Sequence, residues 1–444
     1  MDKVATIFAL STAPGRAGIA VVRVSGSRAG DVLDALAPPR PRKRVAALRR
    51  VRDPATAETL DTALVIWFGA PRTETGEDMA EFHLHGGPAI VRAVLAVLAR
   101  QPGCRLAEPG EFARRAFANG KIDLAEAEGL ADLIDAETEA QRRQALRQMG
   151  GALSDLYDGW RGDLIRACAL VEAAIDFGDE GDVARDAFEV ARGMVGRLQT
   201  AIAAHLDDGN RGEILREGYR VVLAGPPNVG KSSLLNALAR RDAAIVSEEA
   251  GTTRDVIEVR LDLEGLPVVV SDTAGIREAQ GTIEKEGIRR TLAQARDADL
   301  VVRLTDATAP EAAPPPPELG ANVVVVTNKI DLAPAGDKPG VSAKTGAGIE
   351  SLTRQLTQAA RARIGVSESP AITRTRYRSH LHAAMSACQT FMASCPAHRA
   401  SFPDDIELRA EDLRQAIHAL GRITGRVDVE DVLGEIFGRF CIGK

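Results

Sequence analysis

A chain of 444 residues has room for two or three domains, each with its own core. Its 45% apolar and 27% charged residues are those of an ordinary globular protein, which excludes a disordered or fibrous chain. A net charge of −6 excludes a global basic field and leaves only a local patch for a polyanion; 4% aromatics argues against a base-stacking sheet.

The N-terminus, "MDKVATIFALSTAPGRAGIA", has too short an apolar run for a signal peptide, and no stretch nears the roughly 18 apolar residues of a membrane span. The expectation is a cytoplasmic protein with no membrane partner. The five cysteines (104, 168, 388, 395, 441) form no Cys-x-x-Cys pair, so neither a zinc site nor a disulfide framework is expected. The final "CIGK" has the spacing of a prenylation box, but Gly443 and Lys444 fit it poorly.

Residues 1–119 mix strands and helices. "GIAVVRVSG", "DTALVIWFG" and the alternating "EDMAEFHLHG" read as strands, and "GPAIVRAVLAVLARQ" as a helix. Across 120–211 Leu130, Leu133, Ile134, Leu153, Leu156, Trp160 and Leu164 recur at helical steps. From 212 to 369 the β-branched runs "YRVVLAG", "LPVVVSD", "ADLVVRLTD" and "ANVVVVTNK" alternate with helical segments, as in a doubly wound parallel sheet. "PPPP" at 314–317 reads as a stiff surface loop. Helical texture returns over 370–444. The economical arrangement packs this tail with 120–211, so that the α/β module is inserted into one split helical domain.

"VVLAGPPNVGKSS" runs strand, loop, helix, the context a phosphate loop requires. Backbone N–H groups of Val229, Gly230, Lys231, Ser232 and Ser233 can point at phosphates from a helix N-terminus. Lys231 would neutralise β/γ oxygens and the Ser232 hydroxyl would ligate Mg²⁺. "SDTAG" follows a buried strand; there Asp272 can hold Mg²⁺ through water, and Thr273, Ala274 and Gly275 bring an N–H near the γ-phosphate. "GTTRD" supplies Thr253 for Mg²⁺. In "NKID", Asp331 can accept both donors of the guanine edge while Asn328 and Lys329 frame the ring, and "SAK" (Ser342, Ala343, Lys344) flanks the base. Adenine would leave that carboxylate unpaired. Five motifs in this order imply GTP binding. The position after "DTAG" is Ile276, which cannot orient a water, so hydrolysis needs another group.

The fold class is therefore multidomain: an N-terminal α+β domain (1–119), a split all-α helical domain (120–211 and 370–444) and an inserted α/β P-loop GTPase domain (212–369).

"GPPNVGKSS", "GTTRD", "DTAG", "NKID" and the terminal "FCIGK", with "PGRAGIAVVRVSG", "TGEDMAEFHLHGGP" and "PGEFARRAFANGKIDLAEAEGLADLI", resemble the MnmE (TrmE) family of tRNA-modification GTPases over essentially the whole chain. The resemblance implies a potassium-activated GTPase in which Asn228, Ser247, Glu249 and Thr252 bind K⁺; on residue type alone, Asn228 could simply pin its loop. It implies Glu284 as the water-orienting acid, although an acid in a first helical turn also complements the dipole, and Glu278 and Glu286 are equally available. Pro226 stands where an Arg is common in the family.

It further implies a homodimer built on the N-terminal domain. A flavin-dependent MnmG-type partner would act with it to install a carboxymethylaminomethyl-type group on C5 of the tRNA wobble uridine. A tetrahydrofolate derivative, held by Arg23, Glu81, Lys121 and Lys444, would supply the methylene. Alternatives are a GTP-driven regulatory switch and a ribosome-assembly GTPase, neither with chemistry on tRNA of its own.

Outside these motifs, His83 and His85 share a strand face and read as hydrogen-bonded structural residues. Cys441 is a minor candidate nucleophile. "RPRKRVAALRRVRD" is the most basic stretch, a solvated loop and strand by default and a tRNA phosphate contact otherwise.

Overall fold

The computed structural model describes residues 5–177, 181–241, 244–245, 257–272, 296–309, 322–336, 338–365, 369–393, 405–427, 430–438 and 440–443. By contacts the chain divides into two compact units, Met1–Ala131 with Gly421–Lys444, and Asp132–Leu420. Among the described residues no helix is long and apolar enough to cross a membrane.

The first unit is built on strands β1 (Thr6–Leu10), β2 (Ala17–Ser25), β3 (Ala47–Arg52), β4 (Thr59–Phe68), β5 (Met79–Gly86) and β6 (Cys104–Leu106), in the order β3-β4-β5-β2-β1-β6. Period-2 alternation decides which face is covered. Val22 and Val24 of β2 and Ala80, Phe82 and Leu84 of β5 are buried, while Arg23, Glu81 and His83 lie on the opposite face. The helices Ala29–Leu36 and Pro88–Ala99 supply Val32, Leu33, Leu36, Val94, Val97 and Leu98 to that core. Pro88 opens its helix, where a missing N–H costs no bond.

The end of the chain returns to this unit. In the helix Glu430–Gly438, Ile436 and Phe437, with Phe440 beyond it, pack on Ala113 of the helix Glu111–Ala118 and on Leu124 and Ala127 of the helix Leu124–Ile134. Phe437 lies 6.3 Å from the Phe117 ring and 5.9 Å from Phe440, centroid to centroid. Beyond it the tail runs beside β1: Ile442 bridges Pro109, and Ser11 Oγ donates to Gly443 O at 2.9 Å.

The second unit joins the helices Glu139–Met149, Ala152–Asp176, Gly181–Leu206 and Thr375–Ala393 to a second sheet. That sheet has β7 (Tyr219–Ala224), β8 (Ala244–Ile245), β9 (Ile257–Leu263), β10 (Leu266–Asp272), β11 (Leu300–Asp306) and β12 (Val323–Asn328), ordered β12-β11-β7-β10-β9-β8. The pairs β12–β11, β11–β7 and β7–β10 are parallel, as the β-branched runs predict; β9 and β8 add an antiparallel edge. The two-residue Glu264–Gly265 hairpin turn between β9 and β10 makes that pairing local. Val221, Leu223, Val268, Val270, Val302 and Leu304 are buried against Leu234, Leu235 and Leu238 of the helix Lys231–Arg241 and Leu352 and Leu356 of the helix Ile349–Ile364.

Phe437→Ala should remove the ring that seats the chain end in the first unit and cost about 3–5 kcal/mol of that unit's stability. Chemical denaturation should show this, with limited proteolysis releasing the C-terminal peptide. A variant with wild-type stability and protection would mean the ring does not anchor the tail.

Candidate functional site

β7 stops at Ala224, and residues 225–230 turn into the helix Lys231–Arg241 at the carboxyl edge of the second sheet, where α/β folds bind ligands. Asn228 has φ 62° and Gly230 has φ 98°. Asparagine is one of the few residues with a side chain that accept the left-handed region, so backbone shape alone favours Asn228. Its side chain is exposed, and its amide makes no hydrogen bond to another described residue. Gly230 is required by close approach: a Cβ there would stand 2.3 Å from Asn328 Nδ2.

Lys231 is buried, and its Nζ donates to Gly225 O at 2.9 Å and Pro226 O at 3.1 Å. Burial lowers its pKa, opposed by the charge of Asp272. The ammonium is thus already aimed into the loop, where phosphate oxygens are stronger acceptors than carbonyls. Ser232 Oγ donates to Asp272 Oδ2 at 2.5 Å. Asp272 ends β10 beside Leu223 of β7 and is fully buried. A hydroxyl and a carboxylate meeting at the mouth of the loop are hard oxygen donors of the kind Mg²⁺ takes, directly or through water. Ser233 is exposed in the first helical turn, and Val229 is buried beneath the loop.

The base end is organised by Asn328. It is buried, donates from Nδ2 to Val229 O at 2.8 Å, and accepts at Oδ1 from Ala343 N at 3.2 Å. Asp331 accepts from Ser342 Oγ at 2.6 Å, and that bond lowers its pKa. Asp331 itself is exposed, so discrimination against the wrong base depends on the ring covering this carboxylate rather than on prior burial. Lys344 is exposed beside it.

Sequence reasoning passed over Asp306. It ends β11 directly opposite Asn328, accepts from Lys329 Nζ at 2.5 Å and from Thr308 Oγ1 at 2.7 Å, and its pKa falls to about 2, chiefly through the Lys329 bond. The signal was an acid at the carboxyl end of a parallel strand next to the "NKID" strand. Ser247, Glu249, Thr252, Thr253, Thr273, Ala274, Gly275, Glu284, Lys444 and the Pro314–Pro317 run lie outside the described residues.

In the first unit, Arg23 Nε is 3.2 Å from Glu81 Oε1 and its Nη1 is 2.8 Å from Glu74 Oε2, with the guanidinium 5.9 Å from the Phe112 ring centre. Lys121 is exposed and its stem runs past Gly76. His83 Nε2 meets Glu81 Oε2 at 3.1 Å and His85 Nδ1 meets Asp61 Oδ1 at 2.8 Å, so each ring has a carboxylate. Among the described residues no group of three or more His, Cys, Asp or Glu side chains could hold a metal. Cys441 is exposed.

The description "GTP-binding protein TrmE N-terminus" matches residues 6–121, and "MnmE helical domain" matches residues 124–441. Proteins named tRNA modification GTPase MnmE are similar over the full length. That of Maricaulis maris is 51% identical, covering 99% of each chain. That of Parvibaculum lavamentivorans is 53% identical over 99% of this chain and 100% of its own, and that of Methylorubrum populi 54% over 99% and 98%. With half of its positions shared from end to end and the phosphate loop, the strand ending in Asp272 and the base loop converging on one sheet edge, the chain belongs to the MnmE (TrmE) family of tRNA modification GTPases.

Proposed function

We propose that this chain is a potassium-stimulated GTP hydrolase that works with a flavin-dependent MnmG-type partner on the wobble uridine of certain tRNAs. The group installed on C5 is of the carboxymethylaminomethyl type. The observation that carries the reading is the 51–54% identity, end to end, with proteins named for tRNA modification and GTP hydrolysis.

In this reading Lys231 and the backbone N–H groups of Val229 to Ser233 hold the phosphates, and Ser232, Thr253 and Asp272 hold Mg²⁺. Asp331, Asn328, Lys329 and the Ser342–Lys344 segment hold guanine. Asn228, whose amide makes no hydrogen bond to another described residue, would join Ser247, Glu249 and Thr252 in holding K⁺, which would supply positive charge to the transferring phosphoryl group. Glu284 orients the attacking water.

The first unit would hold the folate and pair with a second copy of itself. A bound tetrahydrofolate derivative would supply the methylene carbon. Arg23, Glu81 and Lys121 offer the mixed charges that a pterin edge and glutamate carboxylates need. Ile442 and Gly443, the residues just before Lys444, are held by Pro109 and Ser11. The domains proposed for these tasks are 1–119, 120–211 with 370–444, and 212–369.

Three outcomes are expected. Mass spectrometry of wobble uridines in cells depleted of this protein should show loss of the C5 group. The full chain should restore it and a chain lacking residues 441–444 should not, although the truncated chain still hydrolyses GTP; restoration by the truncated chain would remove the tail from the chemistry. Asp331→Asn should weaken GTP on the order of 10- to 100-fold and favour xanthosine triphosphate, measured by competition binding. Unchanged GTP affinity would refute the guanine contact. Hydrolysis should run about tenfold or more faster in potassium than in sodium at equal ionic strength. Equal rates would strip Asn228 of its ionic role.

A further inference from the structure

We propose that the edge strand of the first unit, with the turn that leads into it, is a docking surface for the phosphate backbone of an RNA, a reading that rests on tRNA being the substrate class. β3 is the outermost strand of its sheet, and Leu48, Arg50 and Arg52 are exposed along it while Val51 is buried. Between Arg40 and Arg52 stand seven Lys or Arg side chains and no Asp or Glu, in a chain whose net charge is −6.

Several arginines elsewhere in this unit are neutralised by neighbours. Arg23 pairs with Glu74 and Glu81, Arg105 with Glu111, Arg114 with Glu108 and Arg115 with Glu77. On the edge, among the described residues, only Arg40 is so paired, with Asp34. Arg42, Lys43, Arg50 and Arg52 are exposed and make no ion pair with a described residue, and neither does Arg72, whose carbonyl accepts from Arg44 Nη2 and so lies beside that turn.

Uncompensated like charges gathered on one edge repel each other, and a polyanion relieves that repulsion while releasing its own counterions. Arg50 and Arg52 project on the same side of the strand, about 6.5–7 Å apart along it, a step similar to that between successive phosphates. The exposed side chains here offer no aromatic face for base stacking, so the surface positions a backbone and does not read sequence. Charge on an edge strand also deters sheet-to-sheet pairing, which is the competing explanation.

The test uses the full chain and an unmodified tRNA transcript carrying a wobble uridine, with binding measured across a salt series. Arg42→Gln/Arg50→Gln/Arg52→Gln should bind about tenfold or more weakly, and the slope of log K against log salt should shrink by about 2 to 3. A charge-matched control, Arg92→Gln/Arg197→Gln/Lys338→Gln, should keep the wild-type slope, and both variants should hydrolyse GTP as the wild type does without tRNA. Equal losses in the two variants, wild-type binding by the edge variant, or no measurable binding by the wild type would overturn the surface. Wild-type binding combined with self-association of the edge variant would assign the arginines to guarding the edge instead. Complementation in depleted cells separates the two readings: failure of the wild-type chain to restore the wobble group overturns the function, whereas tRNA binding untouched by the edge substitutions overturns only the surface.

Discussion

The nucleotide site depends on one buried amide. Asn328 ties the phosphate loop to the loop beyond β12, with Nδ2 on Val229 O and Oδ1 receiving Ala343 N. Val229 lies 99 residues from Asn328 in sequence and Ala343 lies 15 from it. A buried amide with both ends satisfied is favourable, whereas one left unpaired costs about 1–3 kcal/mol per lost partner. Keeping both partners therefore fixes the distance between the phosphate and base ends. The same contact explains Gly230, because the Asn328 amide occupies the space a side chain would need.

A second set of bonds holds the sheet in its helical surround. The helix Glu139–Met149 begins with a capping box in which Thr138 and Gln141 satisfy each other's backbone, and Ala140 N reaches Gly265 O at the β9–β10 turn. Gln141 Nε2 donates to Arg216 O, and Arg216 Nε donates to Thr373 O, so the segments leading into and out of the sheet are bound to each other as well as to this helix. Gln148 closes the set, accepting from Thr373 Oγ1 and donating to Tyr377 OH. Since β10 ends in Asp272, the turn held by Ala140 belongs to the strand that carries a carboxylate to the phosphate loop.

The architecture was largely legible because each motif sat in a strand–loop–helix context that local periodicity reveals. What was not legible are contacts between segments distant in sequence. Nothing in "TNKID" says that its asparagine reaches Val229, or that Lys329 finds Asp306 on the neighbouring strand. Texture also reads a helix without naming its partner. Residues from Leu124 onward look like the helices that follow, yet Leu124 and Ala127 pack with Ala113, Ile436 and Phe437 in the first unit. The antiparallel β9 escaped because "IEVRLDL" alternates like any half-exposed strand, and its pairing is set by the turn at Gly265.

The tail shows how a correct residue can be given an incomplete reason. Glycine near a chain end is readily taken as a source of compliance. In the folded chain Gly443 has φ 102°, and a Cβ on it would lie 2.2 Å from Leu10 O and 3.1 Å from Ser11 Cα, so the position is sterically enforced. The carbonyl of the same residue accepts from Ser11 Oγ, and Ile442 bridges Pro109 one residue earlier. Backbone contacts thus hold the last turns of the chain against β1, whose Ala9 is in register with Arg23 of β2. A larger residue at 443 would push this stretch of the tail away from β1. Conformational freedom in the tail is therefore small, and the requirement for glycine follows from close approach to a neighbouring strand.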